Sequence, residues 1–235
     1  MSDPAPPYPG PTQEPRPGRL TARRHPPVRP APAGLVPLTG TGGTPMAMAY
    51  APEPTADDDA YRLVVLLHGA GGNARQGLDL LSPVADAHHL LLLAPQAAAS
   101  SWDLIAGGFG VDVRRIDGLL STVFDGYPVR DVTFGGFSDG ASYALSLGLA
   151  NGDLVDRVVA FSPGFAAPPV TNGQPRIFIS HGIDDPVLPI DVCSRRLVPH
   201  LRSLAYDVTY EEFPGTHELP TPIRDKAARW LTTPP

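Results

Sequence analysis

Cysteine is nearly absent from this chain. Cys193 stands alone among 235 residues, so no internal disulfide can form, and the residue reads as a small buried filler in a protein of a reducing, cytoplasmic compartment. Lysine is as scarce: Lys226 is the one lysine among 18 basic residues, which face 24 acidic ones for a net charge of −6. Such a balance leaves no basic footprint for nucleic acid or for an anionic membrane surface. There is no run of eighteen apolar residues and no apolar stretch behind Met1, so neither a transmembrane segment nor a secretory leader is expected. The G-x-G-x-x-G and G-K-[ST] spacings that cradle phosphates are missing. His88 and His89 have no spaced partner, so no metal and no other cofactor is expected.

Proline, by contrast, is plentiful and unevenly placed. Fifteen of the 30 prolines fall within residues 1–54, where apolar periodicity is lacking. Residues 1–44 therefore read as a Pro-rich extended segment, with Arg16, Arg19, Arg23, Arg24 and Arg29 as a solvated basic linker or, alternatively, a contact for an acidic partner. Residues 1–15, having little to bury, are expected to be removable at a cost below about 1 kcal/mol. From residue 45 to 235 strand and helix patterns alternate, the signature of one domain with a mostly parallel sheet covered by helices on both faces. Strands are expected at 46–50, 63–67, 90–93, 132–134, 157–161, 175–180 and 206–213. Helices are expected at 74–88, 111–124, 141–150, 190–203 and 222–231. No insertion after 157–161 is long enough for a helical lid.

The chemistry concentrates at Gly136-Phe137-Ser138-Asp139-Gly140. A β-branched and aromatic run enters it and an Ala/Leu-rich run leaves it, which places Ser138 on a sharp strand-to-helix turn, the context of a nucleophile elbow. A serine hydroxyl needs a base to take its proton and a carboxylate to orient that base. Both follow in chain order. The strand at 175–180 runs into a loop holding Asp184 and Asp185, and the strand at 206–213 is followed by His217. Upstream, the continuous apolar run Leu63–Leu67 ends in His68-Gly69-Ala70-Gly71-Gly72, a loop with bare backbone amides suited to a developing oxyanion. The donors are assigned to the N–H groups of Ala70 and Asp139, whose carboxylate is expected to turn away from the site. His68 and His181 read as structural residues beside the oxyanion and acid loops.

These motifs, His68-Gly69-Ala70-Gly71-Gly72, Gly136-Phe137-Ser138-Asp139-Gly140, His181-Gly182-Ile183-Asp184-Asp185-Pro186-Val187-Leu188-Pro189 and His217, resemble the phospholipase/carboxylesterase branch of the α/β-hydrolase superfamily over residues 45–233. The resemblance implies an α/β-hydrolase fold, serine esterase activity on small-molecule esters, and Asp185, directly before the Pro186-Val187-Leu188-Pro189 run, as the triad acid. The family's usual residue after the nucleophile is glutamine, where this chain has Asp139. The same machinery serves thioesterases, lactone hydrolases and polyester depolymerases, since the pocket decides which carbonyl is presented. A non-catalytic binding module on the same fold is a further class, which a fluorophosphonate probe separates from an enzyme. Two loops at carboxyl ends of strands carry apolar side chains, Trp102 and Phe109 in the first and Phe165 in the second, and read as substrate-binding walls.

Overall fold

The computed structural model describes residues 17–40, 45–54 and 60–234. Eight strands form one sheet: β1 (Gly34–Thr39), β2 (Pro45–Ala51), β3 (Tyr61–Leu67), β4 (Leu90–Pro95), β5 (Val129–Phe137), β6 (Arg157–Phe161), β7 (Arg176–Gly182) and β8 (Val208–Phe213). Their order is β1-β2-β4-β3-β5-β6-β7-β8. β1 and β2 pair antiparallel, β2 joins β4 antiparallel, and every later pair is parallel. Among the described residues five α-helices accompany them: α1 (Ala74–Asp79), α2 (Val111–Gly126), α3 (Asp139–Ala150), α4 (Ser194–Ser203) and α5 (Thr221–Thr232).

The strand pleat sorts the core into two layers. Leu63, Val65 and Leu67 of β3 face Ile116, Leu147 and Val198 of α2, α3 and α4. Their neighbours Val64 and Leu66 face Leu78, Ala227 and Leu231 of α1 and α5. With both faces covered, the central strands are apolar without alternation, and each such side chain contributes about 1.5–3 kcal/mol by leaving water. Among the described residues no helix is long and apolar enough to cross a membrane.

The structure departs from the sequence reading at two helices and in the extended segment. The helix expected over 74–88 ends at Asp79, because Pro83 has no N–H to return to the Asp79 carbonyl; Ser82–Val84 continues only as a 3₁₀ turn. The helix expected from 190 starts at Ser194. The extended segment is partly built into the domain: residues 34–39 form an edge strand, so the sheet begins before residue 45. Three arginines of that segment are not a solvated linker, since Arg19 and Arg23 both pair with Asp153 at 2.8 Å and Arg24 pairs with Asp156 at 3.1 Å, whereas Arg29 is exposed. Residues 1–16 and 41–44, including Arg16, lie outside the described residues.

Candidate active site

The strand register brings the loop-bearing ends together at the carboxyl edge of the sheet. Leu67 pairs with Gly136, Phe137 with Phe161, and Gly182 with Phe213, so the loops after β3, β5, β7 and β8 leave at one level. Open parallel sheets bind ligands at that edge.

Ser138 sits between β5 and α3 with φ 57° and ψ −121°, a backbone conformation that costs about 1–3 kcal/mol for a residue with a side chain. The fold holds it there: its N–H donates to the Phe161 carbonyl at 2.9 Å, and its carbonyl accepts from the Ser142 N–H at 3.1 Å. The flanking glycines are obligatory. A Cβ on Gly136 would lie 2.4 Å from the Gly140 carbonyl carbon, and one on Gly140 would lie 2.1 Å from the Leu67 carbonyl oxygen. The loop after β3 abuts Ser138, because a Cβ on Gly69 would lie 3.4 Å from the Ser138 Cβ. Among the described residues no backbone acceptor takes the Ala70 N–H, and Asp139, first residue of α3, has no intrahelical acceptor for its own.

Asp185 and His217 meet across the loops after β7 and β8. The Nδ1 of His217 lies 2.6 Å from Oδ2 of Asp185, whose side chain is fully buried. The other oxygen, Oδ1, accepts from the N–H groups of Val187 at 2.8 Å and Leu188 at 2.9 Å, an Asx-type turn that fixes the carboxylate plane. Burial opposes ionisation of Asp185, but the Leu188 amide, the His217 ring and the Val187 amide together outweigh it and hold the carboxyl below its ordinary range. His181 supplies a further contact: its Nε2 lies 3.2 Å from Asp185 Oδ2 and 2.8 Å from the Leu188 carbonyl, while its Nδ1 meets the Ser194 hydroxyl at 2.7 Å. Burial chiefly keeps that ring's pKa below the usual histidine value, so His181 is a neutral Nε2–H donor to the acid loop. The two loops are in backbone contact, since a Cβ on Gly182 would lie 2.2 Å from the Thr216 carbonyl oxygen. On the Ser138 side, the Phe137 ring lies against the His217 ring at 4.7 Å. Asp184 is exposed and its side chain takes no part in this contact.

The side chain of Asp139 has a visible partner. Its Oδ2 accepts from the Ser101 hydroxyl at 2.7 Å, which ties the 96–110 loop to the start of α3.

Comparison with known proteins then fixes the lineage. The family model described as phospholipase/carboxylesterase matches residues 114–232. The chain belongs to the phospholipase/carboxylesterase family. Among solved structures, the esterase PE8 is 25% identical with a TM-score of 0.63, the match covering 78% of this chain and 97% of that one. A Bacillus cereus carboxylesterase is 20% identical at a TM-score of 0.59, covering 78% and 91% of the two chains, and shares the fold. The Staphylococcus aureus fluorophosphonate-binding serine hydrolase FphF, 16% identical, shares it at a TM-score of 0.68 over 87% of this chain and 100% of that one. No curated protein matches at a significant level. The protein is thus an α/β hydrolase of the carboxylesterase type, with no large lid among the described residues.

Within this esterase-family site the three expected substrate walls differ. Trp102 is only 1% exposed: its ring stacks on Tyr143 at 5.3 Å and its Nε1–H donates to the His68 carbonyl at 2.9 Å. It has almost no surface to offer a ligand and acts instead as a support beneath the loop that carries Ala70. Phe109 is half-buried beside Tyr143, and Phe165 is exposed on a loop whose Gly164 and Ala167 amides are held by the hydroxyls of Ser142 and Ser146 on α3. A cleft of about 260 Å³ opens beside the 68–72 loop, with Gln76, Leu80 and Phe137 as its other walls. Leu80 falls within the expected helix 74–88 and Phe137 within the elbow motif, and the sequence singles out neither as a wall of the site. A roomier groove of about 580 Å³ between β1 and α2, lined by Leu38, Met46 and Arg114 among others, carries no nucleophile or base. Asp112 was also missed. It is a buried carboxylate at the start of α2 that accepts from the amides of Ala98 at 2.8 Å and Asp103 at 2.9 Å and so closes the 96–110 loop.

Proposed function

We propose that the protein is a serine esterase that cleaves carboxylic esters of small or medium acyl or aryl groups through an acyl-enzyme. Ser138 is the nucleophile, His217 the base, Asp185 the acid that orients it, and the N–H groups of Ala70 and Asp139 form the oxyanion hole. His217 Nε2 takes the hydroxyl proton as Ser138 Oγ attacks the carbonyl carbon; the carbonyl π electrons move to oxygen, opposite the two amides. Collapse expels the alcohol, which receives the proton from the imidazolium, and water repeats the cycle on the acyl-enzyme. The observation that carries this reading is the 2.6 Å contact between His217 Nδ1 and a carboxylate pinned by two amides, on loops that adjoin a strained serine elbow. Cys193 offers no competing nucleophile, since it is buried and burial pushes its thiol up.

The small cleft beside the 68–72 loop lies below the roughly 300–1,000 Å³ usual for drug-sized ligands, which favours a short substituent there. Phe165, exposed on the open side, and Phe109 offer apolar contact to the rest of the ester. The test is a panel of p-nitrophenyl esters of increasing chain length beside acyl-CoA and polyester substrates, with fluorophosphonate labelling of Ser138. Preference for the polymer or the thioester would overturn the esterase assignment, and absence of labelling would overturn the serine mechanism.

The oxyanion assignment makes its own prediction. Because Asp139 contributes its N–H while its side chain accepts from Ser101, Asp139→Asn keeps both interactions and is expected to hold kcat within about tenfold of wild type, whereas losing an oxyanion donor costs about a hundredfold or more. A hundredfold loss in well-folded Asp139→Asn, measured by steady-state hydrolysis, would give the carboxylate itself a part in the reaction.

A further inference from the structure

We propose that residues 17–24 are a strap that positions both loops flanking the nucleophile, and that this strap, rather than the loops alone, sets which ester substituents the site accepts. The function of the loops rests on the esterase reading above; the strap itself lies outside the residues the family model matches.

The strap is anchored at two places. At the end of α3, Asn151 is fully buried and grips it by both side-chain ends: Oδ1 accepts from the Leu20 N–H at 2.8 Å and Nδ2 donates to the Gly18 carbonyl at 2.7 Å. Arg19 forks onto both Asp153 oxygens at 2.9 and 2.8 Å and also donates to the Ala150 carbonyl. On α2, Asp117 accepts from the Thr21 and Ala22 amides at 2.8 Å each and from the Thr21 hydroxyl at 2.5 Å. Leu20 is driven into the core, only 2% exposed. A segment so fully hydrogen-bonded is a fixed part of the domain.

What the strap touches gives it a role. At Gly18, where φ is +72°, a Cβ would lie 2.7 Å from Pro169 Cγ and 3.3 Å from Phe109 Cδ1, so the bare backbone is wedged between the two loops. On one side the Phe109 ring stacks on Tyr143 at 6.1 Å, Tyr143 on Trp102 at 5.3 Å, and Trp102 donates to the His68 carbonyl, so the chain of contacts ends at the oxyanion loop. On the other side, the loop that holds Pro169 and Phe165 is tied to α3 through Ser142 and Ser146, and it returns to the anchor itself, where the Gly152 N–H donates to the Asn172 carbonyl at 2.7 Å. Pulling on one short segment therefore moves both walls. Shifts of about 1 Å at such positions are known to cost up to a hundredfold in rate.

The experiment compares Arg19→Ala, Arg19→Lys and Gly18→Val in the full chain, together with a chain that starts at Pro17. Two readouts are taken: the ratio of kcat/KM for a p-nitrophenyl benzoate over an acetate, and amide hydrogen exchange across 107–110 and 164–172. Arg19→Ala and Gly18→Val are expected to change the ratio by about tenfold, chiefly through KM, and to speed exchange in both loops. Arg19→Lys, which keeps one contact to Asp153, should recover most of the ratio, and the chain from Pro17 should match wild type. A ratio within twofold of wild type despite faster exchange would reduce the strap to a stabilising element and overturn the proposal, as would unchanged exchange in either loop. If the wild-type chain hydrolyses no ester, the esterase reading fails, while the exchange measurements still decide whether the strap holds the loops.

Discussion

Ser138→Ala and His217→Ala are each expected to lower kcat by on the order of 10⁴ to 10⁶ with the fold intact, and the double variant to be little worse than either. The non-additivity follows from the shared step: without the hydroxyl there is no proton for the base to take, and without the base the hydroxyl stays a poor nucleophile. What remains in the double variant is the rate the oxyanion amides and binding alone provide. Ser138→Ala carries a second expectation. The elbow's backbone at φ 57° is held by the Phe161 carbonyl and the Ser142 amide and by the glycines around it, none of which involves the hydroxyl, so melting temperature should change little. Steady-state kinetics on the two single variants and the double variant, beside a thermal melt, check both statements. If the double variant lost the product of the two single effects, the residues would be acting in separate steps, and the triad assignment would fail.

How much of this was legible in the sequence depends on whether the cause was local. The elbow was legible because a strand that ends in Gly-x-Ser-x-Gly has few other ways to fold, and the structure supplies the reason: Gly140 passes too close to Leu67 and His68 to carry a side chain. The central strands were legible as apolar runs buried on both faces. The length of α1 was readable in principle from Pro83, whose missing N–H ends the ladder, but the surrounding apolar periodicity masked it. The strap at 17–24 was not legible, since its anchors, Asp117, Asn151 and Asp153, are about a hundred or more residues away in sequence and look like surface polar residues until the chain returns to them. Trp102 was misjudged for a related reason. A tryptophan in a glycine-rich loop reads as a ligand wall, but its burial is decided by Tyr143 and by the carbonyl of His68, neither of which is near it in the chain.

Between the two acids of the β7 loop, Asp185→Asn is expected to cost about 10⁴ in kcat, and Asp184→Asn little. The geometry dictates how the isosteric amide must sit. Oδ1 of Asp185 faces the N–H groups of Val187 and Leu188, so in the variant the carbonyl oxygen takes that position and the NH₂ turns toward His217. An NH₂ can only donate to Nδ1, which forces the proton of the neutral imidazole onto Nε2 and leaves nothing to accept from Ser138. The same NH₂ faces the Nε2–H of His181, already committed to the Leu188 carbonyl at 2.8 Å, so two donors oppose each other in a buried site and stability falls as well. The pH dependence has a definite sign. The fold holds the Asp185 carboxyl below its ordinary value, so the stabilisation it gives is fully present above the usual carboxylate range near about pH 4 and is lost as pH falls through the lowered value. Wild type should therefore lose stability on acidification over a range where Asp185→Asn, which cannot titrate, shows a flatter curve. Urea melts across pH 2.5 to 6, about the span over which carboxylates titrate, test this beside the kinetics. Were Asp184→Asn the more damaging of the two, the acid of the site would be the exposed neighbour, and the contact between Asp185 and His217 would have to be structural.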